Sequence, residues 1–277
     1  MKDIAAALAF ATRTQDGAID RVDAEWLLAH VLNKPRSWLY AFSEAALSEA
    51  QQHSFMQLLE RRGQGEPVAY LTGTQGFWTL ALKVTPATLI PRPETELLVS
   101  LALANLADTP HPCLLDMGTG SGAIALALAT ELPSAKITAV DVSSSALAVA
   151  SENMAALGCR NTELLQSDWF SALAGRRFDG IVSNPPYIET GDAHLRQGDL
   201  RFEPISALSS GVDGLDAIRR IVQEAPGYLL PQGWLMLEHG WQQGEAVRAL
   251  LANAGFTAVA THRDLEQRER VSFGRSA

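Results

Sequence analysis

The chain has 277 residues, a net charge of −9 and a pI near 5.2, with 47% hydrophobic and 19% charged residues. Its length suits one large domain with a smaller one, and its apolar content argues against a disordered chain. No basic run of the kind that duplex-binding proteins carry is present, and no apolar run is long enough to span a membrane.

Two further patterns narrow the class of protein. Cys113 and Cys159 lie far apart and form no paired motif, which is typical of a reducing compartment. The histidines are scattered without metal-ligand spacing, so we expect no metal site. The sequence therefore predicts a cytoplasmic protein that acts without membrane or direct nucleic-acid binding, and we expect a monomer.

Residues 1–65 show helical spacing of apolar residues, with Asp20 and Ser48 as predicted N-caps. We interpret this region as an N-terminal helical domain, either a structural cap or a module that docks the substrate. Residues 66–90 change to an alternating pattern punctuated by glycines, which predicts a β-hairpin linker. Arg92 follows it just before a predicted helix start, and no structural requirement accounts for this arginine.

Residues 91–277 alternate predicted strands and helices, which indicates a doubly wound, Rossmann-like α/β sheet. The predicted strands are 112–116, 136–141, 162–166, 178–183, 233–238, 256–261 and 270–274. The predicted helices are 122–132, 144–157, 214–229 and 242–254. Because no helix separates the last two strands, we expect one of them to be antiparallel.

A glycine-rich turn follows the first of these strands. It runs from Asp116 through Gly118, Thr119, Gly120, Ser121 and Gly122. Glycines let the backbone approach a ligand, and Asp141 at the end of the next strand is placed to accept hydrogen bonds from ribose hydroxyls. The pattern also matches a dinucleotide fingerprint. The Asp116 charge would repel a pyrophosphate and suit a cationic amino-acid cofactor such as S-adenosylmethionine.

Two later strand ends complete the predicted site. After the third strand, Asp168 is a candidate to bind an adenine amino group and Trp169 to cover the ring, although an N-cap beside a core tryptophan is the alternative. After the fourth strand, Asn184 and Pro185 offer acceptor oxygens and Tyr187 offers a flat ring, which together suit a planar –NH2 group. If the first and fourth strands are neighbours, both motifs open on one crevice. The long segment 188–212 then reads as a lid or substrate-binding element.

These motifs resemble those of a known family. Asp116–Gly122 looks like motif I of class I S-adenosylmethionine-dependent methyltransferases, and Asn184–Tyr187 looks like the Asn-Pro-Pro-Tyr motif of amino-group methyltransferases. The wider set is similar to the PrmC/HemK family over nearly the whole chain, and it comprises 90–96, 167–170, 201–204 and 237–240.

The resemblance implies a protein-glutamine N5-methyltransferase that modifies the Gly-Gly-Gln motif of class I peptide chain release factors. It implies S-adenosylmethionine contacts by Gly118, Thr119, Gly120, Ser121, Gly122, Asp141, Trp169 and Asn184, to which the position of Asp168 adds a further candidate. It also implies that the substrate glutamine is held by Asn184, Pro185, Pro186 and Tyr187, with Arg92 and Glu203 nearby.

An amide nitrogen has no convenient pKa for a general base, so the residues point to catalysis by positioning. Our hypothesis is that Asn184 Oδ1 and the Pro185 carbonyl accept the two N–H groups while Tyr187 packs on the amide plane. Three alternatives stay open: a DNA adenine-N6 methyltransferase, a non-enzymatic adaptor, and an NAD-linked oxidoreductase. His239 also follows a strand, and we expect it to serve local structure.

Overall fold

The computed structural model describes residues 2–13, 19–107 and 109–277. The chain forms two compact units. The first comprises Met1–Thr74 with Arg196–Phe202, and the second comprises Gln75–Leu195 with Glu203–Ala277.

The first unit is built from short helices around an apolar core. They are α1 (Ile4–Ala11), α2 (Arg21–Leu32), α3 (Arg36–Ala41), α4 (Glu49–Gly63) and α5 (Val68–Thr72). Both predicted N-caps are confirmed. Asp20 accepts a hydrogen bond of 2.7 Å from the Val22 N–H, and Ser48 forms a capping box with Gln51. Leu27, Leu28 and Phe55 are fully buried between these helices.

The predicted hairpin lies in only part of the linker. Strands β1 (Thr74–Phe77) and β2 (Leu80–Lys83) pair with each other, but Val68–Thr72 is helical. Pro67 stands at the N-cap of that helix, and Gly73 ends it in the left-handed conformation with φ +73°. Apolar alternation, the signal for a strand, begins only after this glycine.

The second unit alternates strands and helices as predicted. Its elements after the hairpin are α6 (Glu96–Asn105), β3 (Cys113–Met117), α7 (Ala123–Glu131), β4 (Lys136–Asp141), α8 (Ser144–Leu157), β5 (Thr162–Gln166), β6 (Phe178–Ser183), α9 (Asp216–Glu224), β7 (Leu229–Glu238), α10 (Gly244–Asn253), β8 (Thr257–Arg263) and β9 (Glu269–Arg275). A 3-10 turn, Pro93–Thr95, precedes α6.

The strands form one sheet in the order β5-β4-β3-β6-β7-β9-β8. All neighbours from β5 to β7 are parallel, and β9 is antiparallel to both of its neighbours, as expected for one strand of the last pair. The chain winds outward through β4 and β5 and then returns to β6 beside β3. This reversal creates a switch point, where ligands bind in doubly wound sheets.

The strand register sets which residues meet at the carboxyl edge. Met117 is paired with Ser183, and Ser183 is paired with Leu237. The next residue of each strand is therefore Gly118, Asn184 and Glu238, side by side. The predicted neighbour relation between the two motif-bearing strands is confirmed.

Helices cover both faces of the sheet. On β3, Leu114 packs with the α6 and α7 side while Leu115 packs with the opposite core, and on β6 Val182 and Ile181 divide in the same way. Successive side chains of a strand point to opposite faces, so these near-continuous apolar runs are the pattern of a sheet buried on both sides.

The long segment 188–212 contains three 3-10 turns: Ala193–Arg196, Gly198–Phe202 and Ile205–Ala207. A bridge between Ile188 and Ser209 closes its base. Of this segment, Arg196–Phe202 belongs to the first unit. Its role as a lid stays a prediction.

Candidate active site

A cleft of about 420 Å³ opens at the carboxyl edge of the sheet. Its volume lies within the range of small-molecule sites. Of the residues predicted from sequence, those that line it are Gly118, Gly120, Asp141, Asp168, Trp169, Asn184 and Pro186. Residues of 204–207, which lie in the predicted lid or substrate-binding segment 188–212, also line it, as does the segment 86–89, which the sequence did not suggest.

The glycine loop is held in place by the end of β4. Gly118 and Gly120 have φ values of +70° and +56°, which residues with a side chain rarely adopt. Asp141 accepts a hydrogen bond of 2.9 Å from the Gly120 N–H through Oδ2 and another of 2.9 Å from Ser143 through Oδ1. A carboxylate has about four lone-pair sites, so Asp141 keeps acceptor capacity toward the cleft.

The other three loop residues face the protein interior instead of lining the cleft. The Thr119 hydroxyl donates to Asp116 Oδ2 at 2.7 Å, and the Ser121 carbonyl accepts from Asn153 at 2.9 Å. Gly122, with φ +86°, is the N-cap of α7. Cofactor contacts by Thr119, Ser121 and Gly122 stay predictions, whereas their contribution to the loop's shape is visible.

Asp116 lies fully buried beneath the loop. Its Oδ2 also accepts from the Ala125 N–H at 3.2 Å, but Oδ1 has no hydrogen-bond partner among the described residues. Burial, with a smaller effect of the Asp141 charge, raises the pKa of Asp116 to about 7. The loop therefore sits over an acidic group whose charge changes near neutral pH.

The end of β5 forms the far side of the cleft. Trp169 has a left-handed backbone with φ +52°, and its ring packs toward Gly118. Ser167 donates to the Trp169 carbonyl at 2.6 Å and accepts from the Ala172 N–H, which fixes this turn. Asp168 is exposed and forms an ion pair with Arg220 at 2.8 Å. Its predicted contact with an adenine amino group would have to coexist with that pair.

Asn184 has a defined orientation at the mouth of the cleft. Its Nδ2 donates to Thr95 Oγ1 at 3.1 Å, so Oδ1 is directed away from Thr95. Oδ1 accepts no hydrogen bond from any residue that the structure describes. Pro185 is buried and Pro186 is half-buried against the cleft. Because the Thr95 hydroxyl holds the Nδ2 end of the Asn184 amide, the Oδ1 end remains available as an acceptor.

Tyr187 is fixed at both ends. Its hydroxyl donates to Glu238 Oε1 at 3.2 Å, and its carbonyl accepts from Gln243 Nε2 at 3.0 Å. Burial, together with the Glu238 charge, raises the pKa of Tyr187 above its usual range, so the phenol is a neutral donor. Tyr187 does not line the cleft itself.

Sequence reasoning missed Thr95 and Glu238, which stand behind this corner. Glu238 is buried at the end of β7, and burial raises its pKa to about 7 against the opposing effects of Thr95 and Arg270. Its Oε2 has no hydrogen-bond partner within the described chain. A signal existed, because a carboxylate directly after the apolar run 234–237 ends a strand at the ligand-binding edge.

Arg92 and Glu203 are paired with each other. Arg92 Nη2 donates to Glu203 Oε1, and Oε2 of the same carboxylate accepts from the Ile90 N–H at 3.1 Å. The Glu203 side chain is fully buried, and neither residue lines the cleft. The pair ties the start of the 90–96 segment to residue 203, and a direct substrate contact stays a prediction.

His239 is a structural residue in this fold. Its Nδ1 lies 2.9 Å from the Gly240 carbonyl and its Nε2 lies 2.9 Å from the Ser272 hydroxyl. A carbonyl can only accept, so Nδ1 carries the proton, and burial lowers the pKa of the ring.

Among the described residues, no group of three or more His, Cys, Asp or Glu could hold a metal ion. None of the described helices has the length and apolar character of a membrane-spanning segment.

Solved structures share the fold of this chain. A methyltransferase from Pyrococcus furiosus covers 79% of this chain and 97% of its own, with a TM-score of 0.53 and 17% identity. The T. thermophilus 16S rRNA methyltransferase, solved with AdoMet and guanosine, covers 74% of this chain and 50% of its own, with a TM-score of 0.55 and 21% identity. These likenesses confirm the predicted fold of class I methyltransferases.

Family models match two regions of this chain, and relatives match it over almost its whole length. The PrmC N-terminal domain matches residues 6–73, and the methyltransferase small domain matches residues 94–199. The "Release factor glutamine methyltransferase" of Xylella fastidiosa is 55% identical over 93% of this chain and 94% of its own. The proteins of that name from Pseudomonas aeruginosa and Escherichia coli are 54% and 52% identical, over 95% and 92% of both chains. The predicted enzyme class is confirmed, and this chain belongs to the release factor glutamine methyltransferase family.

Proposed function

We propose that this chain transfers a methyl group from S-adenosylmethionine to the side-chain amide nitrogen of the glutamine in the Gly-Gly-Gln motif of class I peptide chain release factors. Relatives named "Release factor glutamine methyltransferase" match this chain at 52–55% identity across almost their whole length. The observation that carries the proposal is the orientation of Asn184, whose Oδ1 is left as an acceptor at the cleft.

The residues of the cleft fit S-adenosylmethionine. Gly118 and Gly120 leave backbone exposed, Asp141 keeps acceptor capacity for ribose hydroxyls, and Trp169 offers an aromatic face. Asp141 gives the cleft a carboxylate, and Asp116 beneath the loop adds negative charge when it is ionised, which suits a sulfonium and an ammonium group. When bound there, the cofactor supplies an electrophilic methyl group.

The Asn184 corner would bind the acceptor amide. Asn184 Oδ1 and the Pro185 carbonyl accept its two N–H groups, and Tyr187 lies behind them. Positioning of this kind supplies up to roughly 7–11 kcal/mol of a barrier in favourable cases. The same oxygens stabilise positive charge that develops on nitrogen during transfer, so no general base is required before the methyl moves.

Residues 1–65 are the proposed substrate-docking domain, followed by the predicted hairpin linker 66–90 and the methyltransferase domain 91–277. The match of residues 6–73 to the PrmC N-terminal domain supports a separate N-terminal domain. The monomeric state and the cytoplasmic location stay predictions.

The DNA adenine methyltransferase alternative has less support. It would use the same corner to hold an amino group, but a net charge of −9 without a basic run is unfavourable for duplex binding. The relatives at high identity are named for release factors. The adaptor and NAD-linked alternatives do not account for a methyltransferase family match.

The test is a labelled methyl-transfer assay with an unmethylated class I release factor and duplex DNA as parallel acceptors, with the product mapped by mass spectrometry. We expect one methyl group on the glutamine of Gly-Gly-Gln and none on DNA. A control release factor with that glutamine replaced by alanine should stay unlabelled. Label on adenine, or on another residue of the release factor, would contradict the proposal.

A further inference from the structure

A chain of polar contacts runs behind the Asn184 corner. Asn184 Nδ2 donates to Thr95 Oγ1 at 3.1 Å, and the Tyr187 hydroxyl donates to Glu238 Oε1 at 3.2 Å. The Thr95 side chain also interacts with the Glu238 carboxyl group and lowers its pKa, against the larger effect of burial. Thr95 is 3% exposed and Glu238 is 1% exposed. Two residues of the proposed substrate-binding corner therefore depend on the same buried carboxyl group.

The strand register explains why Glu238 can serve both. Because Ser183 of β6 is paired with Leu237 of β7, Asn184 and Glu238 leave the sheet as neighbours. Thr95 ends the turn Pro93–Thr95, and its hydroxyl oxygen accepts the Asn184 hydrogen bond. Thr95 makes no side-chain capping hydrogen bond to α6, so its hydroxyl is available for this contact.

The direction of the hydrogen bonds follows from the chemistry of each group. Above its raised pKa of about 7, Glu238 is ionised and only accepts, so the Thr95 hydroxyl must then donate toward it. The lone pairs on Thr95 Oγ1 then accept from the Asn184 –NH2 group. An amide that donates through Nδ2 must present Oδ1 on its other side. The carboxylate thus determines which end of the Asn184 amide faces the cleft.

A neutral amide in place of the carboxylate would lose this control. The –NH2 group of a glutamine at position 238 can donate to Thr95, which frees the Thr95 hydroxyl to donate toward Asn184. Asn184 would then be free to turn its Oδ1 to Thr95 and its Nδ2 to the cleft. There the N–H groups of Asn184 would face the N–H groups of the substrate amide and repel them.

We infer that Glu238 is a positioning residue of the methyl transfer, and that it acts through Thr95 and Tyr187 to hold Asn184 Oδ1 toward the acceptor amide. This inference rests on the proposed function. The charged groups that act on Glu238 are Arg270 of β9 and Glu94 of the turn before α6, and the raised pKa near 7 agrees with a carboxylate kept in an environment that disfavours its charge.

The experiment measures kcat, the KM for an unmethylated class I release factor and the Kd for S-adenosylmethionine in the full chain. For Glu238→Gln we expect kcat to fall about 100-fold with little change in cofactor Kd, as misplacement of a reacting group requires. Thr95→Val should lose activity in the same way, and Thr95→Ser, which keeps the hydroxyl, should retain it. The double variant E238Q/T95V should be no worse than the poorer single variant, because both interrupt one chain of contacts.

The matched control is Glu266→Gln, an exposed glutamate that pairs with Arg268 at 3.0 Å, and it should keep the wild-type kcat. Wild-type kcat in Glu238→Gln, or additive losses in the double variant, would overturn the inference while leaving the proposed function intact. If Glu238→Gln failed to fold, equal activity of Thr95→Val and Thr95→Ser would still overturn it. A wild-type chain that leaves the release factor unmodified would contradict the proposed function itself.

Discussion

Asp116 and Glu238 are buried carboxyl groups at the carboxyl edge of the sheet, and each has an oxygen without a hydrogen-bond partner in the described chain. An unpartnered buried polar atom costs about 1–3 kcal/mol. Both groups also have a pKa raised to about 7, mainly by burial. A core selected for stability alone would not favour such groups, and both stand beside the proposed cofactor and acceptor positions.

These shifts predict how stability depends on pH. In the unfolded chain both carboxyl groups lose their protons near pH 4, whereas in the folded chain they hold them until about pH 7. The folded state therefore binds more protons between these values, and the free energy of unfolding falls as pH rises through this window. Glu238→Gln removes one of the two groups. Without cofactor, its Tm should exceed that of the wild type by several degrees at pH 8 and differ little at pH 4.5.

Thermal unfolding followed by circular dichroism at the two pH values checks this, with Glu266→Gln as the exposed control. A lower Tm for Glu238→Gln at pH 8 would mean that the carboxylate stabilises the fold. That result would contradict the pKa direction given above.

Among individual residues, the sequence predicted those whose side-chain chemistry and position after a strand indicate ligand binding. Asn184, Asp141 and Gly118 were found in that way, and the structure places all three at the cleft. Thr95 was not found, because its contact with Asn184 joins residues 89 positions apart through a side chain. A single sequence does not encode such a contact as a local pattern. For the same reason the sequence did not reveal that Arg92 and Glu203 form an ion pair with each other.

Packing between β6 and β7 depends on the absence of a side chain at Gly180. A Cβ atom there would lie 2.2 Å from Cζ2 of Trp234, whose side chain is buried. This close approach also coincides with the register shift between Phe178 and Gly180. The strand that positions Asn184 is therefore aligned partly by a tryptophan over a glycine.

Gly180→Ala should lower the free energy of unfolding by about 1–3 kcal/mol or more, as overpacking of a core does. Chemical denaturation measures this. Gly227→Ala is the matched control, since nothing lies within 4 Å of a Cβ atom at that position. An equally small effect of both changes would show that the Trp234 ring has room to shift.

Elements were the most predictable level of this structure. The predicted strands 136–141, 162–166 and 178–183 have the observed bounds, because apolar runs between turn residues are a strong local signal. Two differences have physical causes. β7 begins at Leu229 instead of 233, through a stretch containing a proline and a glycine that weaken the strand signal. Helix α5 has only five residues, too few to show helical periodicity.

At the scale of the whole molecule, residues 196–202 belong to the first unit although the chain around them belongs to the second. Within the first unit, Arg62 pairs with Asp23 at 2.8 Å and with Asp199 at 3.2 Å. Arg201 donates to the Gln64 carbonyl at 2.5 Å. The predicted domains are continuous ranges, so they do not group residues 196–202 with the N-terminal helices. Local sequence patterns do not show which unit a loop joins.

Arg62→Ala should loosen this segment. The Arg62–Asp199 ion pair contributes up to about 1 kcal/mol. If its loss lowers the free energy of local opening by this amount, amide exchange in residues 196–202 becomes roughly fivefold faster. Hydrogen exchange with mass spectrometry measures this directly. Arg61→Ala is the control from the same helical turn, because Arg61 pairs with Glu66 alone among the ion pairs of the described chain. Equal exchange in both variants would contradict a role for Arg62 in holding the segment.

The Asn184 corner is proposed to hold the acceptor amide, and a comparison of Asn184→Ala with the wild type tests this role without an intermediate step. The measurement is the rate of methyl transfer to the glutamine of an unmethylated release factor, beside calorimetric Kd values for S-adenosylmethionine. We expect a kcat lower by about 100-fold with a Kd changed by only a few-fold. A Kd weakened as much as the kcat would contradict it, because Asn184 would then serve mainly to bind the cofactor.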